Sequence, residues 1–241
     1  MKILKFENQE RVGLEASKII IDKINKKNSL VLGLATGSTP LPLYKNLINE
    51  YNKGKVSFEN IKTFNLDEYK GLKPSDKQSY RYFMNNNLFD HINISLNNTY
   101  VPDGIKTDNP SEYDSLILKN GGIDLQILGL GINGHIGFNE PYTSFDSLTS
   151  EVNLTESTIQ ANSRLFSDIN EVPKKAISMG LKSIMNAKEI ILLATGNSKA
   201  EAIKHLIEDK PSIEWPCTIL QQHPNVTIII DEEAASKIKG K

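Results

Sequence analysis

A single cysteine, Cys217, in 241 residues excludes an internal disulfide and suits a reducing compartment, so a cytoplasmic protein is expected. An excess of one charge is missing as well: Lys and Arg number 28, Asp and Glu 29, for a net charge of −1. Without a basic surplus the chain lacks the electrostatic footprint for nucleic acid or an anionic membrane surface. No apolar run approaches the ~20 residues of a membrane helix. The opening Met1-Lys2-Ile3-Leu4-Lys5-Phe6 alternates like a strand and lacks the apolar centre of a signal peptide. In that setting the sequon Asn97-Asn98-Thr99 is read as chance. Linkers, low-complexity tracts and internal repeats are also missing, so residues 1–241 read as one domain.

What the chain does have is punctuation. Ile123-Asp124-Leu125-Gln126-Ile127-Leu128 reads as a buried strand running into Gly129-Leu130-Gly131-Ile132-Asn133-Gly134-His135-Ile136-Gly137-Phe138-Asn139-Glu140-Pro141. The glycines let the backbone bend, and Asn133, His135 and Glu140 bring proton-handling groups to a strand's carboxyl end, where α/β crevices form. Gly129-x-Gly131-x-x-Gly134 matches the dinucleotide fingerprint by letter. That motif needs a helix opening inside it, and Gly134, Gly137 and Pro141 crowd the place where the helix would run. Proline inside a helix costs about 3 kcal/mol. No strand ending in an acidic residue follows at the required distance, so the nucleotide reading is set aside.

Val12, Ala16, Ile19, Ile20 and Ile24 predict an amphipathic helix over about 8–26. Leu30-Val31-Leu32-Gly33-Leu34 predicts a strand entering Ala35-Thr36-Gly37-Ser38-Thr39-Pro40, followed by a helix with Tyr44, Leu47, Ile48 and Tyr51 on one face. Such a helix start offers free N–H groups and a positive dipole to an anion; it equally fits an ordinary cap by Ser38 or Thr39. It lacks the Gly-Lys-Ser/Thr of a Walker loop. A strand over 61–66 ends in Asp67-Glu68-Tyr69. Neighbouring side chains on extended backbone point oppositely, so one of these carboxylates can face a crevice; a solvated strand end is the alternative.

A helix from Ser79 toward Leu88-Phe89, a loop with a short strand over 92–108, and a helix around Tyr113, Leu116 and Ile117 come next. Pro173 is expected to open a helix bearing Ala176, Ile177, Gly180, Leu181 and Ile184. The strand Glu189-Ile190-Ile191-Leu192-Leu193 enters Ala194-Thr195-Gly196-Asn197-Ser198-Lys199-Ala200. Lys199 there opposes the helix dipole, which makes sense beside an anion, or as a surface lysine at small cost. Val226-Thr227-Ile228-Ile229-Ile230 forms the last strand. The expectation is an α/β fold with a doubly wound, mostly parallel sheet flanked by helices, a Rossmann-like three-layer sandwich. It puts the loops at 35–40, 67–69, 129–140 and 194–199 on one edge, where ligands bind.

Several long motifs carry a resemblance. They are Leu34-Ala35-Thr36-Gly37-Ser38-Thr39-Pro40, Phe64-Asn65-Leu66-Asp67-Glu68-Tyr69, the stretch from Gly131 to Pro141, Ala161-Asn162-Ser163-Arg164, Val172-Pro173-Lys174-Lys175-Ala176-Ile177-Ser178-Met179-Gly180, Thr195-Gly196-x-x-Lys199-Ala200 and His223-Pro224-Asn225. In this order, over nearly the whole chain, they resemble the glucosamine-6-phosphate deaminase family. The resemblance implies conversion of glucosamine 6-phosphate and water to fructose 6-phosphate and ammonia, with no cofactor and no metal. It also implies roles. Asp67 is the base moving the C2 proton to C1, and His135 serves ring opening with Glu140 and Asn133 orienting it. Thr36, Gly37, Ser38 and Thr39, with Arg164 and Lys199, hold the phosphate.

Some positions depart from the family pattern. Asn133 stands where other members carry Asp, Asp76-Lys77 replaces His-Pro, and Tyr142 follows Glu-Pro where Gly is common. A galactosamine-6-phosphate deaminase is the nearest alternative. A 6-phosphogluconolactonase is disfavoured by Phe138-Asn139-Glu140-Pro141 and by Asp67-Glu68-Tyr69. A sugar-phosphate-sensing regulator domain is disfavoured because the chain opens directly on a core strand and helix and keeps Asp67, His135 and Glu140. Larger members are hexamers activated by N-acetylglucosamine 6-phosphate through basic residues just after the catalytic loop. Here Thr143-Ser144-Phe145-Asp146-Ser147-Leu148-Thr149-Ser150-Glu151-Val152-Asn153 holds no Lys or Arg, and the chain ends at Lys241 without the longer tail of those forms. A monomer or homo-oligomer without an allosteric activator is therefore expected.

Overall fold

Strand order decides where a ligand can sit, and here it reverses at the centre of the sheet. The computed structural model describes residues 1–106, 108–162, 166, 168 and 172–239, with Ser157, Ala161 and Asn162 as backbone only. Its strands are β1 (Lys2–Phe6), β2 (Val31–Leu34), β3 (Lys62–Asn65), β4 (Asp67–Tyr69), β5 (Thr99–Tyr100), β6 (Leu125–Leu128), β7 (Ser150–Asn153), β8 (Lys175–Ser178), β9 (Ile190–Ala194) and β10 (Val226–Asp231). Its helices are α1 (Gln9–Lys26), α2 (Leu41–Asn52), α3 (Tyr80–Asn87), α4 (Glu112–Lys119), α5 (Glu156–Asn162), α6 (Leu181–Met185) and α7 (Ala200–Glu208). The main sheet runs β1-β10-β9-β6-β2-β3-β5, every neighbouring pair parallel. From β2 the chain winds outward through β3 to β5, then returns to β6 on the other side of β2. The crevice outside the carboxyl ends of β2 and β6 is thus a topological switch point.

Both faces of this sheet are covered, which is why its central strands β2, β6 and β9 are apolar apart from Gln126. One face packs Val12, Ala16 and Ile20 of α1 with Leu43 and Leu47 of α2 and Met84 of α3. The other packs Ile117 of α4, Ile184 of α6 and Ile203 and Leu206 of α7 with Leu220 from a 3-10 turn at Pro216–Gln222. Helix α1 starts where the sequence places it, with the Asn8 side chain accepting the Arg11 N–H at 3.0 Å.

Two expectations need correction. Residues 67–69 are not the tail of β3: the chain turns at Leu66, and β4 joins a separate antiparallel sheet ordered β4-β8-β7. The helix expected after Pro173 is absent; Lys175–Ser178 is strand β8, and only Leu181–Met185 is helical. Apolar residues at 176, 177, 180, 181 and 184 fit a helical period and also a strand, a glycine bend and a short helix, so periodicity does not separate them. Pairing does: β8 lies between β4 and β7, and Met179 N–H donates to Leu66 O at 2.8 Å. This small sheet carries its own core of Tyr69, Phe138, Leu154 and Ala176.

Candidate active site

A cavity of about 290 Å³ opens at the switch point. Ala35 to Thr39 line it after β2, Gly129 to Ile132 with Asn133 and His135 after β6, and Asp67, Tyr80, Phe138, Thr158 and Lys199 complete it. Its size suits a small metabolite.

Asp67 reaches this cavity because β4 begins where β3 ends, with Asp67 paired to Ser178 of β8. It is 6% exposed, and no hydrogen bond among the described residues reaches its carboxyl. Burial pushes that carboxyl up to about 8, and the charge of Glu68 adds to the effect. Glu68 points the other way, as alternation along a strand requires, and is equally buried. Neither acid is a solvated strand end.

The glycine loop holds a relay. His135 Nδ1 lies 2.7 Å from Asn133 Oδ1, and Asn133 Nδ2 donates to Glu140 Oε2 at 2.7 Å. A carboxylate only accepts, so the amide must turn its N–H₂ to Glu140 and its carbonyl to the imidazole. His135 Nδ1 is therefore the donor in this bond, and in the neutral form of the ring Nε2 carries the lone pair. Gly131 is required because a Cβ there would stand 2.4 Å from the His135 ring. Burial would raise Glu140, but hydrogen bonding and charge at His135, with Thr158 and Asn133, overcome it and hold Glu140 down to about 2. Thr158 Oγ1 donates to Glu140 Oε1 at 2.6 Å. Sequence reading missed Thr158, and the spacing Thr155-x-x-Thr158 signals only a helix start.

The two helix-start loops differ. Helix α2 begins at Pro40 with no side-chain cap, which removes the ordinary-cap reading of Ser38 and Thr39 and leaves the loop Thr36-Gly37-Ser38-Thr39 at the cavity. Gly37 sits at φ 96°, where a side chain is strained. Before α7, Gly196 N–H donates to Asp231 at 2.9 Å and Asn197 N–H to Glu233 at 3.3 Å. Those N–H groups are taken, so that loop contributes its lysine alone. Lys199 lines the cavity unpaired with any carboxylate among the described residues, and burial lowers its pKa. Arg164 lies outside the described residues. Among the described residues no cluster of His, Cys, Asp or Glu is arranged to hold a metal, and no helix is long and apolar enough to cross a membrane.

A proton acceptor of raised affinity, an oriented imidazole, and a cation without a carboxylate partner among the described residues, lining the same cavity as the uncapped start of α2, define a site for acid–base chemistry on a small anion. The sequence profile of the family described as glucosamine-6-phosphate isomerases/6-phosphogluconolactonase matches residues 7–229, and the chain belongs to that family. The glucosamine-6-phosphate deaminase of Mycoplasma mycoides subsp. mycoides is 58% identical over 238 residues, covering 99% of this chain and 98% of the relative. That of Thermoanaerobacter pseudethanolicus is 55% identical over 241 residues, covering 99% and 95%. A solved structure of a monomeric glucosamine-6-phosphate deaminase superposes with a TM-score of 0.95 at 44% identity, over 98% of this chain and 100% of that one. The 6-phosphogluconolactonase from Trypanosoma cruzi, at 20% identity and a TM-score of 0.79, shares the fold over 99% of this chain and 97% of its own.

Proposed function

We propose that this chain converts glucosamine 6-phosphate and water to fructose 6-phosphate and ammonia. The observation that carries the reading is the buried Asp67 carboxyl, which no hydrogen bond among the described residues reaches, in the same cavity as the His135 relay and Lys199. Thr36, Gly37, Ser38 and Thr39, with Lys199 and Arg164, bind the phosphate, and the anchored sugar brings its reacting carbons to the proton-transfer groups. His135 Nε2 takes the anomeric hydroxyl proton and returns it to the ring oxygen, opening the ring. Glu140 and Asn133 hold the tautomer that this needs. Asp67 removes the C2 proton of the open aldehyde and delivers it to C1, while a proton of the C2 ammonium passes to the aldehyde oxygen, leaving a hydroxymethyl group at C1 and a protonated imine at C2. Water adds there and ammonia departs, so the atoms balance with no redox step.

Since Asp67 must be ionised to act, kcat/KM is expected to rise with pH through about 8. The deciding experiment assays ammonia and fructose 6-phosphate from glucosamine 6-phosphate and its galacto epimer. Turnover of the gluco epimer is expected, and preference for the galacto epimer would favour the alternative substrate. Absence of ammonia from both would reject the reading. We further propose a monomer without an allosteric activator.

A further inference from the structure

Two carboxylates stand side by side in β4, and only one faces the cavity. The other, Glu68, is 3% exposed. Its Oε1 accepts the N–H groups of Tyr69 at 2.8 Å and Tyr80 at 2.9 Å, and its Oε2 that of Arg81 at 3.0 Å. Tyr80 and Arg81 are the first two residues of α3, and Ser79 Oγ already accepts the next free donor, Tyr82 N–H, at 3.0 Å. Glu68 therefore closes the helix start as a charged cap. The Arg81 guanidinium does not pair with it: its Nη1 and Nη2 donate to Thr99, and it lies over the Phe89 ring at 5.9 Å. Tyr80 is also a cavity wall, its ring stacked on Phe138 at 6.1 Å and tilted against Tyr69 at 4.8 Å. The cap is fitted closely, because a Cβ at Gly104 would stand 2.2 Å from Tyr69 O and 3.3 Å from Glu68 Cγ.

We propose that Glu68 is a positioning residue for the proton transfer: it pins α3 and the Tyr80 ring beside Asp67 and places a second buried negative charge next to the base. The inference rests on the proposed reaction and deepens it. Burial raises the Glu68 carboxyl above its ordinary value, and the three N–H groups and the Arg81 charge offset that only in part. Its charge in turn strengthens Asp67 as a proton acceptor, second only to burial. The other titratable groups around Asp67 are Tyr69, Tyr80 and Tyr113, with Arg81 behind Glu68 and His135 and Lys199 across the cavity.

The test compares wild type with Glu68→Gln, which keeps an acceptor for α3 and removes the charge. The rising limb of kcat/KM is expected to move to lower pH by about one unit and kcat to fall about tenfold, because a weaker base transfers protons more slowly. KM should stay within about threefold, since the phosphate loop is untouched. A purely structural cap would not move the limb, so an unshifted limb with kcat within about twofold of wild type overturns the proposal. Glu68→Asp retains the charge but draws it back from α3. It is expected to keep the limb near wild type while lowering kcat, and a limb displaced by about one unit would overturn the role of the charge. It decides the matter alone if Glu68→Gln does not fold. A wild type that releases no ammonia would reject the reaction itself, a result separate from either variant's.

Discussion

Asp67 and Glu140 are both buried carboxyls, yet their pKa values move in opposite directions, to about 8 and about 2. The difference is hydrogen bonding and charge: Glu140 meets His135, Thr158 and Asn133, and among the described residues no hydrogen-bond donor meets Asp67. Linkage turns this into stability. Between pH 3.8 and about 8 the unfolded chain loses the Asp67 proton before the folded chain does, so folding weakens as pH rises through that window. Asp67→Asn should therefore melt above wild type at pH 8–9, with the gap closing toward pH 4, while ammonia release and C2–H exchange in deuterated water are lost. Glu140 has the opposite sign: its contribution is present above pH 4.5 and lost as pH falls toward 2. Glu140→Gln should melt below wild type at neutral pH and converge with it in acid; thermal scans across pH check both. Tyr142 offers a simpler test. It is the one non-glycine at positive φ among the described residues (71°), and its side chain is exposed. Left-handed backbone costs a side-chain-bearing residue roughly 1–2 kcal/mol, and glycine's extra chain entropy costs back about 0.5–1. Tyr142→Gly should raise stability by about 0.5–1 kcal/mol, a Tm gain of about 1–3 °C. Unchanged or lower Tm would show that the ring contributes more than the strain costs.

The β2–α2 and β9–α7 units look alike in sequence, each a strand, a small-residue loop and a helix. They act differently because Asp231 and Glu233 at the end of β10 occupy the N–H groups before α7, whereas α2 has no side-chain cap. Lys199→Ala should weaken substrate binding by about 1.5–3 kcal/mol, the scale of one charge-assisted hydrogen bond, and leave the pH of the rising limb in place. Unphosphorylated glucosamine should be a very poor substrate for the wild type. Equal turnover of glucosamine and its 6-phosphate, measured by ammonia release, would remove the phosphate from the account of binding.

Regulation in a protein of this kind needs a ligand that binds one state better than another. The stretch 143–153 has no Lys or Arg of its own, but the fold brings Lys70 and Lys175 to Glu151 and Lys182 to within 3.8 Å of Asp146. Lys182 faces Asp146, and Lys70 and Lys175 share Glu151, so each of these three lysines is engaged by a carboxylate. Substrate saturation should be hyperbolic and unaffected by N-acetylglucosamine 6-phosphate, and light scattering should report a monomer. A sigmoidal curve that this compound straightens would contradict both points.

Local chemistry was enough to read the alternation of apolar strands with amphipathic helices, and so the doubly wound sheet with its loops on one edge. Residues of the β2–α2 loop and the glycine loop were legible because backbone bends and polar clusters leave short-range marks: Gly37, Gly131 and the Asn133–His135–Glu140 set all lie within single segments. What pairing and packing decide left no such mark. Lys175–Ser178 has a helical period and becomes a strand because β4 and β7 flank it. Thr158 reaches Glu140 from another element, and Glu68 turns to α3 while its neighbour turns to the cavity. The proton affinity of Asp67 belongs to this second group, since it is set by the water and donors that surrounding chain segments exclude. Tertiary structure alone gives that aspartate its raised proton affinity.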